Sequence, residues 1–455
     1  MENSIYHHSN HNKIQFLIGA ATSNSGKTTL TIGLLRALKR RGLQVQPFKC
    51  GPDYIDPQYH SMASGNTSVN LDTWMASRNH VKELFRYYSK EAEVSVVEGV
   101  MGLFDGFHKS EGSSADIARL LQIPVILVVN ARSTAYSVAP VIYGFKHFDP
   151  SVRIGGVIFN QVGSENHARF LEEACQDAGV TYLGYLPRMK EIELPSRHLG
   201  LTLDALDNLN GFADRIADAL EEHVNLDLLM EECSTDNDLQ NSEKENSDYI
   251  GIQMDTGNIQ VRKIAVAHDE AFNFAYRYNL ERLAATAPVS YFSPMKDSEL
   301  PEADFVYLPG GYPEFFLQEL SQNRKMMESI RAYVEKGGYL LAECGGMMYL
   351  CRQITGMDGT AYPMTDVLPL KATMKNMKLH LGYRTLECRE HVFKGHEFHY
   401  SSTEHIEGEV LKSTGMQTDA RGNVVSTELY RYKNAIAGYT HLYWGEHNIF
   451  NLFKE

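Results

Sequence analysis

A nine-residue run, Ala21–Thr29 (ATSNSGKTT), lies between an apolar stretch, Ile14–Ala20, and a segment with apolar residues at Leu30, Leu34, Leu35 and Leu38. The stretch before it reads as a strand, and Lys27–Arg41 reads as a helix ending at Gly42. A loop of this kind works because consecutive backbone N–H groups converge on anionic oxygens at a helix N-terminus, where the dipole adds positive potential. It requires strand, tight loop and helix in that order, which commits this part of the chain to a parallel α/β sheet. Ser25, Gly26, Lys27, Thr28 and Thr29 are therefore nucleotide-binding candidates, with Gly26 allowing close approach and Lys27 reaching the outer phosphates. The Thr28 hydroxyl is the group that would ligate Mg²⁺. Ala21 stands where such loops carry glycine; the residue stays small, so the loop reads as a variant.

Further apolar runs at Val94–Val97, Val125–Val129 and Ile154–Phe159 continue the strand–helix rhythm. Two carboxylate-bearing stretches follow apparent strand ends, Lys49–Asp56 (KCGPDYID) and Glu98–Gly106 (EGVMGLFDG). The carboxyl edge of an open α/β sheet is where ligands bind, and moving a phosphoryl group requires a hard cation with oxygen ligands. Asp53, Asp56, Glu98 and Asp105 are thus candidates for holding metal or orienting substrate, with Asp53 and Glu98 expected to join Thr28 at the metal. Asn160, past a strand in Ile158–Val162, could pair with an adenine edge or simply make a turn.

At 455 residues the chain is long for one core and suggests two domains. Between Glu231 and Asn258 it turns dense in Asp, Glu, Asn and Ser, as a solvated linker would. Expected boundaries are a disordered 1–12, a nucleotide domain over 13–230, a linker over 231–260 and a second domain over 261–455. A net charge of −14 argues against nonspecific nucleic-acid binding, and no apolar run suits a membrane span. Six scattered cysteines without CxxC spacing fit a reducing cytoplasm better than a disulfide framework.

The second half carries its own constellation. Cys344 follows the apolar run Tyr339–Ala342 and precedes Gly345 and Gly346, at the expected start of a helix. Such a position can lower a thiol's pKa toward the thiolate, which attacks an amide carbonyl and releases ammonia. Gly310 and Gly311, in Leu308–Glu314 (LPGGYPE), form a turn whose N–H groups suit a developing oxyanion. His441 is the expected base, with His396, His399 and His380 as rivals.

Taken in order, ATSNSGKTT, QPFKCGPDYIDP, VVEGVMGLFDG, LPGGYPE, AECGGMMYL, GHEFHYS and THLYWG resemble the cobyrinic acid a,c-diamide synthase family across nearly the whole chain. The resemblance implies a dethiobiotin synthetase-like P-loop domain followed by a class I glutamine amidotransferase domain. It also implies ATP-dependent amidation of the a and c acetates of cobyrinic acid, with Mg²⁺ as cofactor and L-glutamine as nitrogen donor. By motif, Asp53, Tyr54 and Asp56 would shape the corrinoid and acyl-phosphate site, and Glu98 with Asp105 would support metal binding or catalysis. Cys344 would be the nucleophile and His441 its base. Tyr443 stands where many class I amidotransferases place the glutamate that orients this histidine, leaving Glu446 as a substitute. Hydrogenobyrinic acid or nickel sirohydrochlorin as acceptor, and a noncatalytic nucleotide-dependent binding protein, are the alternatives. A homodimer is left open.

Overall fold

The structure, a computed structural model, describes residues 13–189, 203–235, 253–257, 259–408 and 411–454. The expected disordered N-terminus, 1–12, and most of the expected linker lie outside these residues. Packing divides the chain into two units, the second taking Trp74–Ser77 together with the C-terminal half.

The first unit is built on seven parallel strands in the order Val69–Leu71, Val45–Cys50, Val94–Glu98, Lys13–Ala20, Val125–Asn130, Ile154–Val162 and Tyr182–Pro187. These strands read as near-continuous apolar runs because a parallel sheet is covered on both faces. The first strand lies mid-sheet, so the phosphate-type loop leaves the carboxyl edge where the strand order reverses. Register then does chemical work. Glu98 sits beside Ile18 on one neighbour and beside Lys49 on the other, so a cation and a carboxylate meet at that edge. The unit extends past the expected boundary at 230: the helix Leu226–Glu232 buries Leu226 and Leu229, and Ser234–Thr235 pairs antiparallel with the start of the first strand.

The second unit centres on a seven-stranded sheet in the order Val289–Phe292, Ile264–Ala267, Phe305–Leu308, Tyr339–Glu343, Ala435–Gly438, Leu429–Tyr432 and Lys412–Ser413. Strand alternation splits its side chains between two cores. Ala265, Val306, Leu308, Leu340 and Ala342 pack with Met326, Ile330 and Val334, whereas Ile264, Val266, Phe305, Tyr307 and Leu341 pack with Trp444, Phe450 and Phe453. A four-stranded sheet joins Met416–Thr418, His380–Cys388, His391–His399 and His441–Tyr443. Among the described residues no helix is long and apolar enough to cross a membrane.

Candidate active sites

In the first unit, Gly26 opens the helix Lys27–Arg40 at φ +95°, and a Cβ there would lie 2.0 Å from the Asn160 amide nitrogen. Only glycine fits. That nitrogen donates to the Ser25 carbonyl at 3.0 Å, so Asn160 braces the loop. The Ser25 hydroxyl donates to the Thr22 carbonyl at 2.8 Å. Lys27 reaches across to donate to the Met101 carbonyl at 2.5 Å, and burial lowers its pKa against the pull of Glu98. Thr29 lies in the first turn of the same helix.

Beside it lies a buried ion network. The Lys49 ammonium donates to Asp56 at 2.7 Å and to Glu98 at 2.9 Å; the Thr28 hydroxyl donates to the same Glu98 oxygen at 2.8 Å. Thr28 also reaches Asp56 at 3.4 Å, and His60 Nε2 lies 2.5 Å from the other Glu98 oxygen. Burial works to raise Glu98, but Lys49 and His60 outweigh it and hold the carboxyl below its usual range. Burial raises Asp56, with Lys49 opposing, and Lys49 stays an ammonium because its two carboxylate neighbours overcome desolvation. The carboxylate that joins Thr28 and Glu98 is therefore Asp56, not Asp53. Asp53 accepts from the N–H groups of Ile55 and Asp56, both at 2.9 Å, within the turn that leads into the helix Asp56–Ser64. Asp105 likewise turns inward, accepting from the Gly102 N–H at 2.9 Å, and Tyr54 is buried. Hard oxygen donors around a site already tuned to a cation fit Mg²⁺.

In the second unit Cys344 takes φ 47° and ψ −107° between the strand Tyr339–Glu343 and the helix Gly345–Leu350. Positive φ in a non-glycine residue costs roughly 1–3 kcal/mol and persists only where its surroundings impose it. Here the Cys344 N–H donates to the Gly438 carbonyl at 2.7 Å, while the Met348 N–H donates to the Cys344 carbonyl at 3.0 Å. A Cβ on Gly345 would sit 3.0 Å from the Gly311 nitrogen and 2.7 Å from Pro313 Cδ. One on Gly310 would sit 2.1 Å from His441 Cε1. The Gly310–Gly311 turn thus touches both the thiol's turn and the imidazole, bringing Cys344 and His441 to one place. Gly310 seats the imidazole, and its carbonyl accepts from the Phe274 N–H at 3.0 Å. Of the two expected oxyanion glycines, Gly311 is the one whose nitrogen faces the thiol's turn.

Burial pushes the Cys344 thiol well above its usual range, and Glu314 adds to this against the Gly345 N–H. The expected lowering of this thiol is overturned, because a six-residue helix cannot offset that desolvation. Burial pushes His441 down to about 3, neighbouring His396 and His399 add to it, and a hydrogen bond to the Phe274 backbone opposes. At neutral pH the pair rests as thiol and neutral imidazole. Glu446, the expected orienting group, accepts from the Ser77 N–H and hydroxyl at 2.6 Å.

The rival histidines all gather nearby. His396 pairs with His441 across the strands, while His399 is held by Glu397 at 2.7 Å, reaches the Ser401 carbonyl at 2.8 Å and stacks on Tyr439 at 3.6 Å. His380, Glu397 and His399 offer ligand atoms within 4.8 Å of one another. The two imidazoles, however, stack 4.9 Å apart at 4°, so their in-plane lone pairs run side by side and do not converge on an ion. Arg384 also holds Glu397 at 2.5 Å.

Sequence reasoning missed Lys49, His60 and Glu343. His60 lies one turn from Asp56, an i,i+4 pair that could have been noticed. Glu343 is the lone carboxylate of an apolar strand. It accepts from the Tyr307 hydroxyl at 2.6 Å and the Leu442 N–H at 3.0 Å, tying the residue before the thiol to the residue after the imidazole. Burial pushes it up to about 8 against those two donors.

Residues 16–201 match the CobQ/CobB/MinD/ParA nucleotide binding domain, and residues 263–449 match the CobB/CobQ-like glutamine amidotransferase domain. The chain is 40% identical to the cobyrinate a,c-diamide synthase of Picrophilus torridus, over 94% of this chain and 95% of that one. Identity to the Listeria innocua protein of that name is 39%, over 95% and 96%. It is 43% to the hydrogenobyrinate a,c-diamide synthase of Brucella abortus, over 85% and 89%.

Proposed function

Because the chain belongs to the cobyrinate and hydrogenobyrinate a,c-diamide synthase family, we propose that it amidates the a and c acetates of a corrinoid acid, using ATP and glutamine. The observation that supports this reading is the presence in one chain of two clusters of chemistry-bearing residues. One is a phosphate loop with a buried cation–carboxylate network at Lys49, Asp56 and Glu98; the other is a strained thiol sharing a glycine turn with a buried neutral imidazole. A noncatalytic binding protein needs neither a strained nucleophile nor a second, amide-cleaving site.

A carboxylate is a poor electrophile, so the first unit would transfer the ATP γ-phosphoryl group to it, forming an acyl phosphate and releasing ADP. Thr28, Asp56 and Glu98 would hold Mg²⁺, which when bound neutralises charge on the phosphate oxygens. Lys27 and Lys49 would supply fixed positive charge where phosphate charge moves. In the second unit His441 would take the Cys344 proton as sulfur attacks the glutamine side-chain carbonyl, with the oxyanion meeting the Gly311 and Gly345 N–H groups. His441 would return the proton to the departing ammonia, leaving a thioester. Water deprotonated by His441 would clear it as glutamate. Ammonia would then displace phosphate from the acyl phosphate, giving the amide.

The relatives' names divide between cobyrinate and hydrogenobyrinate, so the acceptor is tested directly. Purified protein is offered each acid with ATP, Mg²⁺ and glutamine, and products are weighed by mass spectrometry. Each OH replaced by NH₂ lowers the mass by about one unit, and two such steps are expected. Cys344→Ala should lose glutamine-driven amidation and retain it with ammonium salts. Hydrolysis of ATP and glutamine without a mass change on either acid would defeat the assignment.

A further inference from the structure

Glu314 follows the Gly310–Gly311 turn, on the short helical turn Pro313–Phe315. Pro313 beside it packs against the Gly345 position, next to Cys344. The carboxyl is near enough to the thiol to work against its ionisation. It is part-buried, and that burial pushes its pKa up to about 7 with only its own backbone N–H to oppose. No cation among the described residues pairs with it, yet part of its surface remains open to solvent. A buried carboxylate without a cation costs stability unless a partner arrives during the working cycle.

If Cys344 cleaves glutamine as proposed above, that partner is at hand. Glutamine differs from a plain aliphatic amide by an α-ammonium and an α-carboxylate at the far end of its side chain. We propose that Glu314 receives the α-ammonium of glutamine and is the residue that selects this amide donor. The pairing has a second consequence. With its charge neutralised by the ligand, Glu314 no longer opposes the thiolate, so the correct donor helps activate the nucleophile that attacks it.

The test compares L-glutamine with glutaramate, the same amide lacking the α-amino group. The parent protein should prefer glutamine by roughly 10²-fold in kcat/KM, the scale of a desolvated charge pair. Glu314→Gln should lower kcat/KM for glutamine by about that factor and leave glutaramate unchanged or raised, since no unpaired charge then opposes the thiolate, erasing the preference. Equal losses on both donors, or a preserved ratio, would overturn the proposal. Trp444 fluorescence reports whether the variant's second unit is folded. Should it not be, calorimetric binding to the Cys344→Ala protein decides: glutamine must bind about 10²-fold more tightly than glutaramate, and equal affinities refute the role of Glu314. A parent protein that hydrolyses neither donor would instead remove the glutaminase reading on which this inference rests.

Discussion

A methyl group at position 310 would occupy the space of the His441 ring, 2.1 Å from Cε1, and the ring is buried with nowhere to retreat. Gly310→Ala should therefore displace the imidazole and leave the fold largely intact. A misplacement of about 1 Å costs on the order of 10²-fold in rate. The expected outcome is a loss of that size in glutamine hydrolysis, with ammonium-driven amidation unchanged, read in parallel assays. Full glutaminase activity in this variant would show that the ring does not need that seat. At this scale the sequence was legible in placement: Lys27 and Thr28 open the helix after the first strand, and Cys344 stands between a strand and a helix, as expected. It was not legible where two equivalent groups compete for one role. Asp53 and Asp56 are three residues apart, and only the fold shows that one accepts backbone N–H groups in the turn before a helix while the other, starting that helix, faces Thr28. Gly310 and Gly311 look alike in sequence, and only the approach of His441 separates them.

The strand His441–Tyr443 depends on elements far away in sequence. Asn279, fully buried on the helix Arg277–Thr286, donates to the Leu442 carbonyl at 2.8 Å and accepts from the Trp444 N–H at 3.0 Å. Arg282, one turn on, donates to the Gly445 carbonyl at 2.8 Å. One amide side chain thus stands in for a neighbouring strand on this edge, while Glu343 holds the Leu442 N–H. Asn279→Leu has similar volume but leaves one buried carbonyl and one buried N–H without these partners, at roughly 1–3 kcal/mol each. The second unit's thermal midpoint should fall by several degrees, and kcat for glutamine should drop more than KM rises, because the imidazole loses its fixed position. A variant with the parent midpoint and kcat would show that the clamp is redundant. Long apolar runs announced the strands Lys13–Ala20, Val94–Glu98, Val125–Asn130 and Tyr339–Glu343 to within a residue, and Ile154–Val162 to within three, while shorter or more polar strands such as Val45–Cys50 gave no such run. The ribbon His380–Cys388 and His391–His399 was read only as a source of histidines, because polar residues such as Arg384, Glu397 and His399 occupy buried sites on it. Periodicity cannot flag a strand whose interior face is itself polar.

Across the whole chain, the two units bury ionisable groups in opposite styles. The first keeps a charged network at Lys49, Asp56 and Glu98, while the second, beside its Arg384–Glu397 ion pair, also buries Glu343 and His441, whose neutral forms burial favours, and these two set much of its response to pH. Glu343 has a folded pKa of about 8 against an ordinary 4.5, so the fold holds a proton that the unfolded chain has released. Its contribution is complete below 4.5 and is lost as pH rises through about 8. His441 runs the other way: with a folded value of about 3 against 6.5, its contribution is complete above 6.5 and is lost as pH falls toward 3. The two slopes oppose each other between 4.5 and 6.5; above that Glu343 dominates, with Glu314, raised to about 7, adding a smaller decline of the same sign. Raising pH from about 6.5 to 8.5 should then cost the second unit roughly 2 kcal/mol, or about 4–8 °C in its midpoint. Both tryptophans, Trp74 and Trp444, pack with that unit, so their fluorescence follows its melting separately from the backbone signal of the whole chain. Glu343→Gln keeps an acceptor for the Leu442 N–H and removes the ionisation. In that variant the alkaline decline should flatten, while the acid decline set by His441 stays. An equally steep alkaline decline in Glu343→Gln would assign the lost stability to some other group and leave Glu343 as an ordinary ionised carboxylate.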